Sequence, residues 1–179
     1  MANRDNHYEA AFEAYLRSRG LPYVAVDEAK RSVLGDGESI KNLDFIVSAP
    51  GAITWLVDVK GRRFPSSEDQ YWKNWSTRDD LKGLAQWESL FGENFQGLLV
   101  FAYNLVGDRS PLPAEQLFEY RETLYGFVAV ALAEYAAHCH PISPRWDTVA
   151  LPTADFRRLA RPVEEFLLRG RALGPTAAP

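Results

Sequence analysis

Apolar and polar residues alternate most regularly between Leu43 and Lys60. Leu43-Asp44-Phe45-Ile46-Val47 and Leu56-Val57-Asp58-Val59-Lys60 flank a turn near Pro50-Gly51, a pattern that predicts two strands joined as a hairpin. A turn centred on Gly51 places residues whose numbers sum to 102 opposite one another. Side chains alternate between the faces of a strand. Leu43, Phe45, Val47, Ile53, Trp55, Val57 and Val59 then form an apolar core face. The other face carries Asp44, Ser48, Thr54, Asp58 and Lys60 around Ile46 and Leu56, which is where a site is expected. Asp44 faces Asp58 in this register, with Cβ atoms about 4.5–5.5 Å apart. A two-residue turn at Pro50-Gly51 would shift the register by one and separate the two aspartates. The clean sorting favours the first register.

Helical spacing predicts a first helix over Asn6–Arg19, ended by Gly20, and a second from Thr77 to Phe91, capped by Thr77 or Asp79. Leu21–Val26 reads as a first strand, and Gly97–Tyr103 as the strand after the second helix. Residues 61–77 read as a loop rich in cations and rings. Beyond a turn-rich stretch at 107–113 come a strand at Tyr125–Val130, a short helix at Ala131–His138, a strand at Asp147–Leu151 and a helix at Asp155–Leu168. These elements predict an α/β domain with a mixed central sheet: a core at 1–105, an extension at 106–173 packed on it, and a disordered tail at 174–179.

Two opposed carboxylates on an apolar hairpin repel, and one takes up a proton unless a cation lies between them. Mg²⁺ is commonly held by one or two carboxylates together with water and phosphate oxygens, and it activates phosphodiesters toward water. Lys60 would stand beside such an ion, its ammonium pKa depressed, to orient or deprotonate the attacking water or to stabilise charge on the phosphorane-like transition state. The plainer alternative is a buried Asp–Lys ion pair with no chemistry. Glu9 and Glu13 lie four apart on one face of the first helix. Glu13 is the favoured inward carboxylate, because Ala10, Phe12 and Leu16 surround it.

Asp44 followed by Asp58-Val59-Lys60 resembles the active-site signature of the PD-(D/E)xK nuclease superfamily. Leu43 stands where the signature has proline, and Asp58 where many members have glutamate. The likeness covers residues 6–104 and extends to the archaeal Holliday-junction resolvases, whose helix glutamate shows the spacing of Glu9 from Gly20. A fainter likeness, on His7-Tyr8 alone, is to bacterial proteins labelled HYAIIN. The resemblance implies a restriction-endonuclease-like αβββαβ core and hydrolysis of nucleic-acid phosphodiesters with Mg²⁺ or Mn²⁺. Asp44 and Asp58 would be the metal ligands, Lys60 and a helix glutamate (Glu9 or Glu13) their catalytic partners. DNA is the expected substrate ahead of RNA, and a homodimer is one assembly to expect. The rival expectation is a nuclease fold that binds nucleic acid or protein without cutting.

Composition adjusts this picture. The 179 residues include 46% hydrophobic and 13% aromatic residues, enough for a packed interior. No apolar run approaches the length of a membrane helix, and Met1–His7 has no signal-peptide character. The single cysteine, Cys139, suits a reducing cytoplasm. A net charge of −4 weighs against non-specific binding to nucleic acid, so cations must act by location. Arg62, Arg63 and Lys73, the rings of Trp72 and Trp75, and Lys41 before the hairpin are the candidates. Trp72 and Trp75 equally suit a core-closing role. Gly61 would let the chain leave the strand so that both arginines reach phosphates.

Overall fold

The computed structural model describes residues 6–27, 32–33, 39–65, 67 and 71–168. Lys30 and Arg31, which precede the hairpin in sequence, and the C-terminal tail lie outside them. Helix α1 (His7–Ser18) starts where the Asn6 side chain accepts the Tyr8 N–H. It buries Ala11, Phe12, Tyr15 and Leu16, and the chain turns away at Gly20, whose φ of +61° suits a residue without Cβ. Strand β1 (Tyr23–Ala25) and the small pair β2 (Ser32–Val33) and β3 (Ser39–Ile40) follow. Then come β4 (Phe45–Ser48) and β5 (Thr54–Phe64).

After β6 (Ser76–Thr77), helix α2 (Arg78–Phe91) opens with a reciprocal cap. Thr77 Oγ1 accepts the Asp80 N–H at 3.1 Å, and the Asp80 carboxylate accepts the Thr77 N–H at 3.0 Å. Strand β7 (Phe95–Leu105) returns beside β5. The remaining elements are β8 (Phe118–Tyr120), β9 (Thr123–Ala131), α3 (Leu132–His138), β10 (His140–Ser143), β11 (Thr148–Ala150), α4 (Thr153–Leu159), β12 (Arg161–Pro162) and α5 (Glu164–Leu167).

The main sheet runs β1-β4-β5-β7-β9-β12, with β8 also on β9; β10, β11 and β6 form a small second sheet. Among the described residues, only β5 and β7 pair parallel within the main sheet. The helix reading of Asp155–Leu168 is corrected. Pro162 has no N–H to give a helix and would clash with the turn before it. The chain instead breaks between α4 and α5, and Arg161-Pro162 lies on the sheet edge against Ala129 and Val128, where proline is tolerated.

Both faces of the sheet are covered. Leu98, Val100 and Ala102 of β7 pack under α1 with Phe12, Leu16, Phe45, Val47, Val57 and Val59. Leu99, Phe101 and Tyr103 pack on the opposite side with Leu56, Leu84, Tyr135 and Phe156. Such burial on two faces is why β7 reads as an unbroken apolar run rather than an alternating one. The face expected to be mainly a site is therefore largely a second core. Leu43 also belongs there, not under α1.

Candidate active site

The hairpin has the register that the spacing predicts: Phe45 pairs with Val57, Ile46 with Leu56, Val47 with Trp55 and Ser48 with Thr54. Each pair sums to 102. The ladder stops there, because β4 begins at Phe45. Asp44 turns off the strand: its N–H donates to the Val57 carbonyl, and its Oδ2 accepts the Val59 N–H at 2.6 Å. The carboxylate thus serves a backbone donor of β5 where the ladder would otherwise have continued to Leu43. This irregular step also moves Leu43 to the other core.

Alternation along β5 sets Leu56, Asp58, Lys60, Arg62 and Phe64 in one row. Lys60 Nζ lies 2.8 Å from Asp58 Oδ2 and 2.9 Å from Asp80 Oδ2. Asp80, buried at the first turn of α2, also pairs with Lys41 and accepts the Ser76 hydroxyl at 3.0 Å. Burial opposes ionisation of Asp80, but Lys60, Lys41 and the Thr77 N–H together hold its pKa below the usual carboxylate range. Burial likewise opposes the charge on Lys60, yet Asp58 and Asp80 keep its pKa above normal. Asp58 first and then Asp80 work against the depression expected of Lys60 beside a bound ion. Asp80 was missed by sequence reasoning. Thr77-x-x-Asp80 marks it as a capping residue, but its reach to Lys60 comes from the docking of α2.

Asp44 and Asp58 behave in the opposite sense. Burial first, then the neighbouring carboxylates of Asp58 and Glu9, push the Asp44 pKa well up against the pull of the Val59 N–H and Lys60. Burial and Asp80 raise that of Asp58, and Lys60 opposes them. Glu9, 3% exposed, is the α1 carboxylate that acts on Asp44. Its Oε1 accepts an N–H from the Asn6 side chain. The preference for Glu13 as the inward group is corrected: one turn further along, Glu13 meets Arg17 at 2.5 Å and the Tyr23 hydroxyl at 2.8 Å. Among the described residues no group of three or more His, Cys, Asp or Glu side chains is arranged to hold an ion. The donor chemistry still fits a hard cation in the two-carboxylate manner, since Asp44 is buried and raised by the charge of Asp58, and the half-buried Asp58 is itself disfavoured as an anion by burial and Asp80.

The basic residues divide. Strand β5 runs straight through Gly61, pairing up to Phe64 opposite Leu105, so the chain does not turn out there. A Cβ on Gly61 would sit 2.1 Å from Cδ2 of Tyr8; glycine is required because that ring presses on the strand. Arg62 is half-buried, its guanidinium 3.9 Å above the Trp75 ring and donating to the carbonyls of Gly61 and Trp75. Burial lowers its pKa. Arg63 points the other way and is exposed. Lys41 is held by Asp80. Trp72 packs its ring against Phe64, Tyr103 and Phe156, at the end of the row beyond Arg62, with Lys73 beside it.

No family model matches the chain, and no curated protein matches it. Among solved structures it is similar to Hjc of Archaeoglobus fulgidus, a Holliday junction resolvase from an archaeal hyperthermophile. That match covers 90% of this chain and 93% of the other, at a TM-score of 0.50 and 12% sequence identity. At such identity the likeness concerns the fold. The fold is restriction-endonuclease-like. Within this restriction-endonuclease-like frame the β5–β7 pair is the centre, and Asp58 and Lys60 ride on it, opposite Leu99 and Phe101. No helix among the described residues is long and apolar enough to cross a membrane.

Proposed function

We propose that the protein is a metal-dependent nuclease that hydrolyses nucleic-acid phosphodiesters, with DNA as substrate. The observation that carries this reading is the buried Asp44 carboxylate, raised in pKa by burial and by the charge of the half-buried Asp58, with the Lys60 ammonium 2.8 Å from Asp58. The pair gains most from a divalent cation, because an ion there removes the repulsion that the fold imposes. Asp44 and Asp58 would hold Mg²⁺ or Mn²⁺, which when bound supplies Lewis acidity to the phosphodiester. Asp44 is fixed for this by the Val59 N–H. Lys60, held as an ammonium by two aspartates, does not act as a base; it offsets the negative charge that grows on the phosphoryl oxygens. Glu9, beside Asp44, completes the acidic wall and aligns the attacking water. That water loses its proton to solvent as it forms the new P–O bond, and the leaving oxygen keeps the electron pair of the P–O bond that breaks and takes up a proton from solvent.

A second reading has its own support. Lys60 already neutralises Asp58 and Asp80, so the same residues suit a silent nuclease fold that binds without cutting. Purified protein separates the two. We expect Mg²⁺-dependent cleavage of DNA that disappears in Asp58→Asn, with the fold kept because Lys60 retains Asp80. Absence of Mg²⁺-stimulated cleavage on single-stranded, duplex and branched DNA alike would leave the silent reading.

A further inference from the structure

The row on β5 leads away from the acidic site to a second feature. At its far end, Phe64 forms the floor of a cavity of about 560 Å³ walled by Tyr71, Trp72, Lys73, Arg109 and Arg157. That volume is in the range of small-ligand pockets. The rings stand edge to face, Phe64 lying 5.5 Å from Tyr71 and 5.4 Å from Trp72. Two of the cations lie over rings: Arg109 at 5.0 Å from the Tyr71 centre and Arg157 at 6.0 Å from that of Trp72. The Lys73 backbone is pinned by the Tyr103 hydroxyl at 2.8 Å. Among the described residues lining the cavity, none is acidic.

We propose that this cavity takes an unpaired nucleotide of the substrate strand, so that the preferred substrate carries a single-stranded segment. The inference rests on the nuclease reading for its link to cleavage, though binding can be tested without it. Flat rings backed by cations match a base face and its phosphate. A base paired inside a duplex shows only its edge to a protein, whereas a cavity walled by rings requires the face. Position supports the same conclusion. From Asp58 to Phe64 is six residues of strand, about 20 Å, a few nucleotides of extended chain. Lys60 and Arg62 lie between, and Arg62 is already seated on Trp75.

The test measures binding in EDTA, where no cleavage occurs. Three probes are used: a single-stranded oligothymidylate, a blunt duplex of equal length, and thymidine monophosphate. Wild-type protein should bind the single strand at least tenfold more tightly than the duplex, with the mononucleotide far weaker. The double variant Arg109→Ala, Arg157→Ala changes exposed side chains, and unaltered thermal unfolding verifies its fold. It should lose about tenfold in single-strand affinity and flatten the salt slope by about 1.4, two contacts' worth for single strands. Duplex binding should be unchanged. Equal binding of duplex and single strand by wild type, or no loss in the double variant, overturns the proposal. So does thymidine monophosphate binding as tightly as the oligonucleotide, which would make the ligand a free nucleotide. Failure of the nuclease reading looks different: single-strand preference and its loss in the variant persist while wild type never cleaves in Mg²⁺.

Discussion

Asp44 and Asp80 are both buried and both meet strand β5, Asp44 through the Val59 N–H and Asp80 through the Lys60 ammonium, yet their pKa values move in opposite directions. Asp80 is surrounded by donors: Lys60, Lys41, the Ser76 hydroxyl and the Thr77 N–H. Asp44 has one backbone donor and two carboxylate neighbours, Asp58 and Glu9. Exposure is nearly the same for each, at 4% and 6%, and burial raises both, so the donors and charges around each decide whether that rise is reinforced or reversed. The lesson is a division of labour. The Asp80 side is closed by charge and fixes Lys60, while the Asp44 side is held in place by packing and is left short of positive charge.

Removing Asp80 tests the closed side and should have the largest effect. Asp80→Ala strips Lys41 and one arm of Lys60, and leaves the first turn of α2 without its reciprocal cap. Breaking a buried pair in this way costs about 3 kcal/mol, the low end of the usual range because Lys60 keeps Asp58. Urea unfolding at neutral pH measures the loss. Because the folded-state pKa of Asp80 is depressed, its contribution is present above the ordinary carboxylate range and lost only as pH falls through the lower folded value. Wild type and variant should therefore converge in strong acid. A loss under about 1 kcal/mol would mean the lysines find other partners.

Packing holds the other side, and Gly61→Ala disturbs it. The new methyl group meets the Tyr8 ring, which must move and carries the adjacent Glu9 with it. We expect a destabilisation of about 1–3 kcal/mol, as for overpacked cores. Tyr8→Ala added to Gly61→Ala should recover part of it, and a double-mutant cycle measures that coupling. Additive costs would show that Tyr8 has room to yield, and the Asp44 side would be looser than its geometry implies.

How far these two sides were legible in the sequence follows from the kind of interaction on each. The hairpin register could be read because alternation is local and a one-residue slip would bury every wrong side chain. The second core on the site face could not, since its partners Leu84, Tyr135 and Phe156 arrive from distant segments. Glu9 and Glu13 are one helical turn apart, and only the Arg17–Tyr23 pair that engages Glu13 separates their roles. Gly61 carried an ambiguous signal: a glycine in a strand marks either a bend or a close approach. Here it is a close approach. Asp80 was hidden behind its capping role, which is local, whereas its contact with Lys60 spans twenty residues.

Asp44→Asn sharpens the contrast through pH. Asparagine keeps an acceptor for the Val59 N–H and removes the charge. A carboxylate whose folded pKa is raised contributes stability that is full below its unfolded pKa and lost as pH rises through the folded value. The variant does not suffer that loss, so its urea midpoint relative to wild type should climb between pH 4 and pH 8. Under the nuclease reading, Mg²⁺ should raise the wild-type midpoint at pH 8 and do so less in the variant. A constant difference across pH would mean that Asp44 is not strained as an anion.

The smallest effect on folding is expected at Arg63, and it matters because its neighbour differs. Arg62 is fixed on Trp75 and on two carbonyls, so Arg62→Ala removes a cation–π contact and charge-assisted hydrogen bonds worth about 1–2 kcal/mol together. Arg63, exposed on the opposite face of the same strand, has no such anchorage among the described contacts, and Arg63→Ala should change stability by only a few tenths of a kcal/mol. Its charge lies close enough to act on Tyr8, near the acidic side that has the shortage of cations. If duplex DNA approaches over α1, Arg63→Ala should lower the salt slope of duplex binding by about 0.9, one phosphate contact. Titrating binding against salt for wild type and variant measures it. An unchanged slope would turn the approach to the opposite face, where the Asp80 side carries Lys41 over an already satisfied carboxylate, and the side short of cations would then depend on a bound ion alone.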